Sequence, residues 1–197
     1  MSNRTERFGP TRRGGPVFRW LGRQLAIDLA NTVMVVRQGE AVDLLDGPED
    51  LRHWLLAEKS RLGDCEFALS HLEVIRALRE AVRDLLVARA EGASIPEAAL
   101  RRVNAASKSA PVAPQLRAVP DGEPRLIELP AGKDRLARLL GTLARSAIAL
   151  LSGPESERLH ICPAPSCGMI YVGSRRWCSG PCGNRGRVAR HYQRTRE

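Results

Sequence analysis

The sequence predicts an α+β protein with a mainly α-helical body, a small β component and a C-terminal metal-binding module. Two long segments, 66–91 and 132–151, carry apolar residues at helical spacing, the pattern of amphipathic helices. In the segment 115–129, apolar and polar residues alternate on both sides of an Asp-Gly pair, which predicts a β-hairpin. Four of the five cysteines lie in the last 36 residues. We therefore expect a disordered basic arm at 1–16, a body at 17–153 and the module at 158–197.

The body begins with a predicted short strand at 17–21 and a helix at 24–36. Polar Asp28, Asn31 and Thr32 lie among the apolar residues of this helix. Residues three or four apart share a helix face, so these side chains could line a ligand pocket together. An internal hydrogen-bond network that holds the helix against its neighbours explains them equally well.

Helix-capping residues indicate where other helices of the body begin and end. Asp46 with Glu49, and Ser94 with Glu97, form capping-box patterns, and Gly92 is a suitable C-terminal stop. The predicted elements are helices at about 46–58, 66–91, 94–107 and 132–151, and strands at 115–119 and 125–129.

The C-terminal cysteines form two pairs, Cys162-x4-Cys167 and Cys178-x3-Cys182. Four thiolates complete the tetrahedron that one structural Zn²⁺ prefers. An iron–sulfur cluster is a lesser alternative, and disulfides are another, although nothing in the chain suggests export. The insert between the pairs predicts a hairpin over apolar 169–172 with a Gly-Ser turn after it, and a helix follows to about 194. Cys65 is predicted to be a small, partly buried residue rather than a fifth ligand.

The net charge of +9 is concentrated at the two ends of the chain. Residues 160–197 hold seven arginines and one acid, whereas 17–158 hold 20 basic and 20 acidic residues. A compact basic module beside a neutral body is typical of polyanion binding. No apolar run approaches the ~20 residues that span a bilayer, and the polar N-terminus is no secretory signal, so we expect a cytoplasmic protein.

The last helix and the turn before it carry the cations that could bind phosphates. Guanidinium groups suit phosphate because they give bidentate, permanently charged contacts. In this helix, Val188, Ala189 and Tyr192 are expected to pack inward on the hairpin. A solvated face, or docking on an acidic protein surface, are the competing interpretations. The predicted nucleic-acid-binding residues are Arg175, Arg176, Arg185, Arg187, Arg190, His191 and Arg194.

The segment 177–191 resembles the CGNR zinc finger: Trp-Cys-Ser, then Cys-Gly-Asn-Arg, then Arg-Val-Ala-Arg-His. That motif closes bacterial proteins that begin with an ABATE domain, a family described as "putative stress-induced transcription regulators". The segments 25–33 and 43–55 resemble the opening of that domain. The second cysteine pair here is spaced by three residues, where many members have four. The zinc module implied by the resemblance is treble-clef-like, with a hairpin and a helix.

Two functions of different classes remain. The first is a DNA-binding transcription regulator, whose module contacts DNA while the body senses an unknown small-molecule ligand or forms a homodimer. The second is a small-molecule-binding protein or enzyme with a pocket near Asp28 and Asn31, in which the zinc module serves structure or protein interaction. The sequence has no nucleophile elbow and no Gly-rich phosphate loop, so it identifies no catalytic residue.

Overall fold

The computed structural model describes residues 18, 24–35, 41–120 and 122–195. The predicted arm at 1–16, and the strand at 17–21 except for Phe18, lie outside the described residues. The helices are α1 (Leu25–Ala30), α2 (Pro48–Ala57), α3 (Lys59–Leu62), α4 (Leu72–Glu91), α5 (Glu97–Ser109), α6 (Arg135–Ser152) and α7 (Gly180–Arg194), with 3-10 helices at Glu66–His71 and Pro154–Arg158. The strands are β1 (Val33–Val35), β2 (Ala41–Asp43), β3 (Val112–Arg117), β4 (Arg125–Pro130), β5 (Leu159–Ile161) and β6 (Ile170–Val172).

The core of the body is a group of packed helices with α4 at its centre. This helix contacts α1, α5, α6 and β5. Its buried residues, which include Ile75, Leu78, Val82 and Leu85, recur at steps of three and four, so the helix buries one face. α2 adds Leu51 and Trp54, both fully buried, to the same core. The predicted α+β class, mainly helical with small antiparallel sheets, is confirmed.

The described residues form three two-stranded antiparallel sheets, which pair β1 with β2, β3 with β4 and β5 with β6. The predicted hairpin around 121–122 is confirmed, with Leu116 opposite Leu126, although its strands start at 112 and end at 130. Both leucines are largely exposed. The hairpin therefore projects from the helical body instead of contributing these side chains to the core.

The predicted helix at 24–36 is wrong in its second half. α1 ends at Ala30, and Val33–Val35 pairs as a strand with Ala41–Asp43. The hydroxyl of Thr32 donates to the carbonyl of Leu29 at 2.7 Å, which competes with helical bonding at this end. The valines that follow suit a strand better than a helix.

Two predicted helix starts are also displaced. α2 has Gly47, not Asp46, as its N-cap, and the backbone N–H of Gly47 donates to Asp50 at 3.0 Å. α5 begins at Glu97 after Pro96, with no side-chain cap from Ser94. By contrast, Gly92 ends α4 in the left-handed region, with φ of 66°, as predicted.

Candidate metal centre and nucleic-acid interface

The first cysteine pair lies in the loop that joins β5 to β6. Cys162 follows β5, and its N–H donates to the carbonyl of Met169 at 2.8 Å, which closes the loop. Ser166 and Gly168 both have positive φ, near 60°, and reverse the chain around Cys167. The segment 170–172 is a strand as predicted, but the predicted hairpin with its turn at 173–174 is wrong. The strand pairs with residues before the first cysteine, because the loop that holds Cys162 and Cys167 is itself the hairpin connection.

The second pair lies at the start of α7. Ser179 is the N-cap, and its hydroxyl accepts from the N–H of Cys182 at 3.4 Å. Cys182 lies in the first turn of the helix, whereas Cys178 precedes the cap, so only one ligand of this pair is helical. The helix start therefore places Cys182 against the loop that carries the first pair.

The four sulfur atoms come together at one point. All four Sγ atoms lie within 4.8 Å of one another, and Cys167, Cys178 and Cys182 are separated by 3.4–3.6 Å. Zinc–sulfur bonds of about 2.3 Å in a tetrahedron put sulfurs roughly 3.8 Å apart, so the residues fit the ion. All five cysteines are free, and the sulfurs of Cys167, Cys178 and Cys182 are farther apart than the about 2.0 Å of a disulfide bond. Cys65 is buried in the body and lies outside the group.

The sulfurs polarise one another. Hydrogen bonding with Cys167, and then with Cys182, Cys162 and Ser179, lowers the pKa of Cys178 to about 5 against the opposing effect of burial. The same hydrogen bond, together with burial, raises the pKa of Cys167 far above its usual value, and burial raises the pKa of Cys162. A divalent cation binds cysteine as thiolate, so metal binding releases protons.

The indole ring of Trp177 lies so close to α7 that it leaves little room for a side chain at two glycine positions of the helix. A Cβ on Gly186 would lie 2.4 Å from the indole ring, and one on Gly183 would lie 3.2 Å from it. The ring therefore packs directly against the helix backbone. The guanidinium groups of Arg176 and Arg190 lie over the same ring, at 5.1 and 5.8 Å from its centroid.

We expect Gly186→Ala to destabilise the module by about 1–3 kcal/mol, because the added methyl group forces Trp177 off the helix. The matched control is Gly180→Ala, since a Cβ there meets nothing within 4 Å. Thermal unfolding and Trp fluorescence of the two variants measure the difference. Equal stability of the two variants would contradict the packing described here.

The inward packing predicted for Val188 and Tyr192 is wrong. Their exposed fractions are 54% and 64%. The inner face of α7 consists instead of Cys182, Gly183 and Gly186, because the small glycines admit Trp177 and the cysteine reaches the metal site.

Two family models match the chain and together cover most of it. The ABATE model, described as "Putative stress-induced transcription regulator", matches residues 23–154, and the CGNR zinc finger model matches residues 158–195. The chain belongs to the ABATE family. The suspected resemblance is therefore confirmed, and the cysteine cluster is the site of one structural zinc ion. Among curated proteins none matches this chain.

The zinc finger is joined to the ABATE body by its hairpin. Leu159 and Ile170 are buried in the same core as the helices, and β5 contacts α4. Asn31, at the end of α1, donates its amide to the carbonyl of Ile170 and accepts from the N–H of Ile170, each at 2.9 Å. Asn31 is 1% exposed, so these bonds form away from water.

Asp28 and Thr32 are also buried and hydrogen-bonded. Arg61 donates to Asp28 at 2.5 Å and to Glu58 at 2.7 Å. Burial raises the pKa of Glu58, against the opposing effect of Arg61. Arg79 reaches Thr32 at 3.4 Å and holds Asp43 with two bonds of 2.5 and 2.8 Å. These contacts match the hydrogen-bond network that the sequence left open as an explanation.

Two cavities lie in the body. One of about 300 Å³ is lined by Arg61, Arg135, Arg138 and Thr142, among others. The other, of about 240 Å³, is lined by Arg52, Leu55 and Lys59, among others. Asp28, Asn31 and Thr32 line neither of these two, although Arg61 connects Asp28 to the wall of the larger one. Ligand binding at Asp28, Asn31 and Thr32 stays a prediction.

The basic residues of the zinc finger differ in exposure. Arg175, Arg176, Arg187, His191 and Arg194 are exposed, whereas Arg185 and Arg190 are half-buried. Arg185 donates to the sulfur of Cys182 at 2.9 Å. No acidic residue occurs in 159–195. Within the described residues, the arginines at 175, 176, 187, 190 and 194 form no ion pair. In the part of the chain that the structure describes, no helix is long and apolar enough to cross a membrane.

Proposed function

We propose that this protein is a DNA-binding transcription regulator in which the zinc finger binds nucleic acid. The observation that carries the proposal is the exposed arginine surface of α7 and the segment before it, where residues 159–195 include no carboxylate side chain and the described residues form no ion pair with Arg175, Arg176, Arg187, Arg190 or Arg194. The family description supports a regulator. The proposed contact residues are Arg175, Arg176, Arg185, Arg187, Arg190, His191 and Arg194.

The proposed contact residues fall into two groups, exposed arginines and arginines that other side chains hold in place. Exposed Arg175, Arg176, Arg187 and Arg194 bind phosphates. Arg185 and Arg190 are held by the zinc site and by Trp177, so they bind from fixed positions. Arginines that are immobilised before binding lose less conformational freedom on contact, which favours affinity.

We expect labelled random duplex DNA to bind the zinc-loaded full chain in a strongly salt-dependent manner. With four to six phosphate contacts, log K should fall against log salt with a slope of roughly −4 to −5. Arg187→Ala combined with Arg194→Ala should flatten the slope by about 2. Fluorescence anisotropy over a salt series measures both values.

The matched control is Arg102→Ala, which removes an exposed arginine of the body and should leave the slope unchanged. Metal-depleted protein should lose the binding, because the arginine surface depends on the folded zinc finger. No binding at low salt with zinc present would contradict the proposal. Binding to an acidic protein would then be the better account of the arginines.

The proposed role of the body is to sense a ligand or to form a homodimer. The larger cavity favours ligand sensing, because the guanidinium of Arg61 in its wall is bonded to Asp28 on α1. Asn31 lies one turn further along at the end of the same helix and bonds to the zinc finger. A ligand that displaces Arg61 would therefore act on the helix that holds the DNA-binding module. A small-molecule-binding protein or enzyme with its site near Asp28 remains the alternative function.

A further inference from the structure

One face of α7 carries side chains that the zinc finger itself does not use. Asn184, Val188 and Tyr192 follow one another at four-residue steps, so they lie along one side of the helix, and all three are exposed. Val188 is 54% exposed and Tyr192 is 64% exposed. Trp177, with the glycines of the opposite face, already packs the inside of this helix. Burial within the described chain therefore does not account for the two apolar side chains.

Cations flank this row along one side. Arg187, His191 and Arg194 occupy the adjacent strip of the helix surface and are all exposed. Arg187 donates a hydrogen bond to the side-chain oxygen of Asn184, which orients the amide and leaves its N–H groups for another acceptor. The row of Asn184, Val188 and Tyr192 therefore runs beside a row of cations that suits phosphates. The helix contains no aspartate or glutamate.

We infer that Asn184, Val188 and Tyr192 form the surface of α7 that enters the major groove of duplex DNA and contacts base edges. This inference rests on the proposed function and adds to it the residues that select the sequence. Phosphate contacts position a protein, whereas contacts to base edges specify the site. In this inference the arginines contact phosphates, and the row of Asn184, Val188 and Tyr192 contacts base edges.

The dimensions agree with a groove contact. Asn184 and Tyr192 are eight residue steps apart, and a rise of about 1.5 Å per step places the ends of the row about 12 Å apart. At about 3.4 Å per base pair, the row spans three to four base pairs. The major groove, about 12 Å wide, admits a helix, and a narrow minor groove does not.

Each side chain suits one kind of base edge. The amide of Asn184 can donate to a purine acceptor, and the methyl groups of Val188 can contact the methyl group of thymine. The ring of Tyr192 supplies an apolar edge and one hydroxyl at the far end of the row. The surface therefore fits a short duplex site that contains an A·T pair opposite Val188.

The test is selection of binding sites from a random duplex library by the zinc-loaded full chain, followed by measured affinities for the selected site and for random duplex. We expect a preferred core of three to four base pairs. Val188→Ser and Asn184→Ala each remove one proposed base contact and should lower the ratio of specific to random affinity by at least about 5-fold, the low end of the cost of one mismatched base pair. Affinity for random duplex should fall less than affinity for the selected site, because the arginines that contact phosphates remain in both variants. The control is Gln193→Ala, which changes an exposed residue on another side of α7.

Failure of this inference is distinguishable from failure of DNA binding. Wild-type protein that binds duplex with a steep salt slope but selects no site would overturn the inference alone. So would variants at 184 and 188 that keep the wild-type ratio, or a preference for single-stranded over duplex DNA that depends on Tyr192. Absence of any duplex binding at low salt would overturn the proposed function and the inference together.

Discussion

Removal of zinc is expected to destabilise the ABATE body as well as the zinc finger. The β5–β6 hairpin belongs to both, since its loop holds Cys162 and Cys167 while Leu159 and Ile170 are buried against the body. Structural zinc contributes about 10–16 kcal/mol to the folding of isolated zinc-finger peptides. If about 4 kcal/mol of this reaches the body, the Tm falls by roughly 8–16 °C.

The measurement is thermal unfolding with and without a chelator, together with hydrogen exchange of the α4 amides. Cys182→Ser should reproduce the effect of the chelator, because it removes one of the four thiolates. The control is Cys65→Ala, which alters a buried cysteine of the body that lies outside the metal cluster. The Cys65→Ala protein should keep its zinc, and its free energy of unfolding should fall by only about 1 kcal/mol. Unchanged α4 exchange in zinc-free protein would show that the body is independent of the metal.

Replacement of Asn31 by Ala is expected to lower the free energy of unfolding by about 2–5 kcal/mol. The change leaves the N–H and the carbonyl of Ile170 without their partner in a buried position, and each such group costs about 1–3 kcal/mol. The amide of Ile170 should lose its protection from hydrogen exchange first, because Asn31 is its acceptor. Denaturant unfolding and hydrogen exchange measure the two effects.

Asn104→Ala is the matched control, since Asn104 is exposed in the middle of α5. Its effect should lie within about 0.5 kcal/mol. An Asn31→Ala protein as stable as this control would favour the ligand-binding interpretation of Asn31. If Asn31→Ala destabilises the protein and the amide of Ile170 loses its protection from hydrogen exchange, Asn31 serves the connection between the body and the zinc finger.

The sequence pointed to the metal ligands because their signal is local and chemical. Thiolates in two close pairs predict one tetrahedral site whatever surrounds them, and the structure brings the four sulfurs together as expected. Helical periodicity was equally direct for α4 and α6, since a helix that buries one face repeats at a fixed spacing. The class of the fold followed from these elements.

Only the tertiary structure decided where the helices end and which faces are covered. The pattern of α1 continues past Ala30, but pairing with 41–43 turns the next valines into a strand. Hydrophobicity predicts that Val188 and Tyr192 face inward, yet Trp177, in the segment just before α7, packs against the opposite face of the helix at Gly183 and Gly186. The sequence could also not show that Asn31 bonds to Ile170, because 139 residues separate them. Local chemistry is encoded in neighbouring residues, whereas competition for one buried surface depends on residues that meet only in the folded chain.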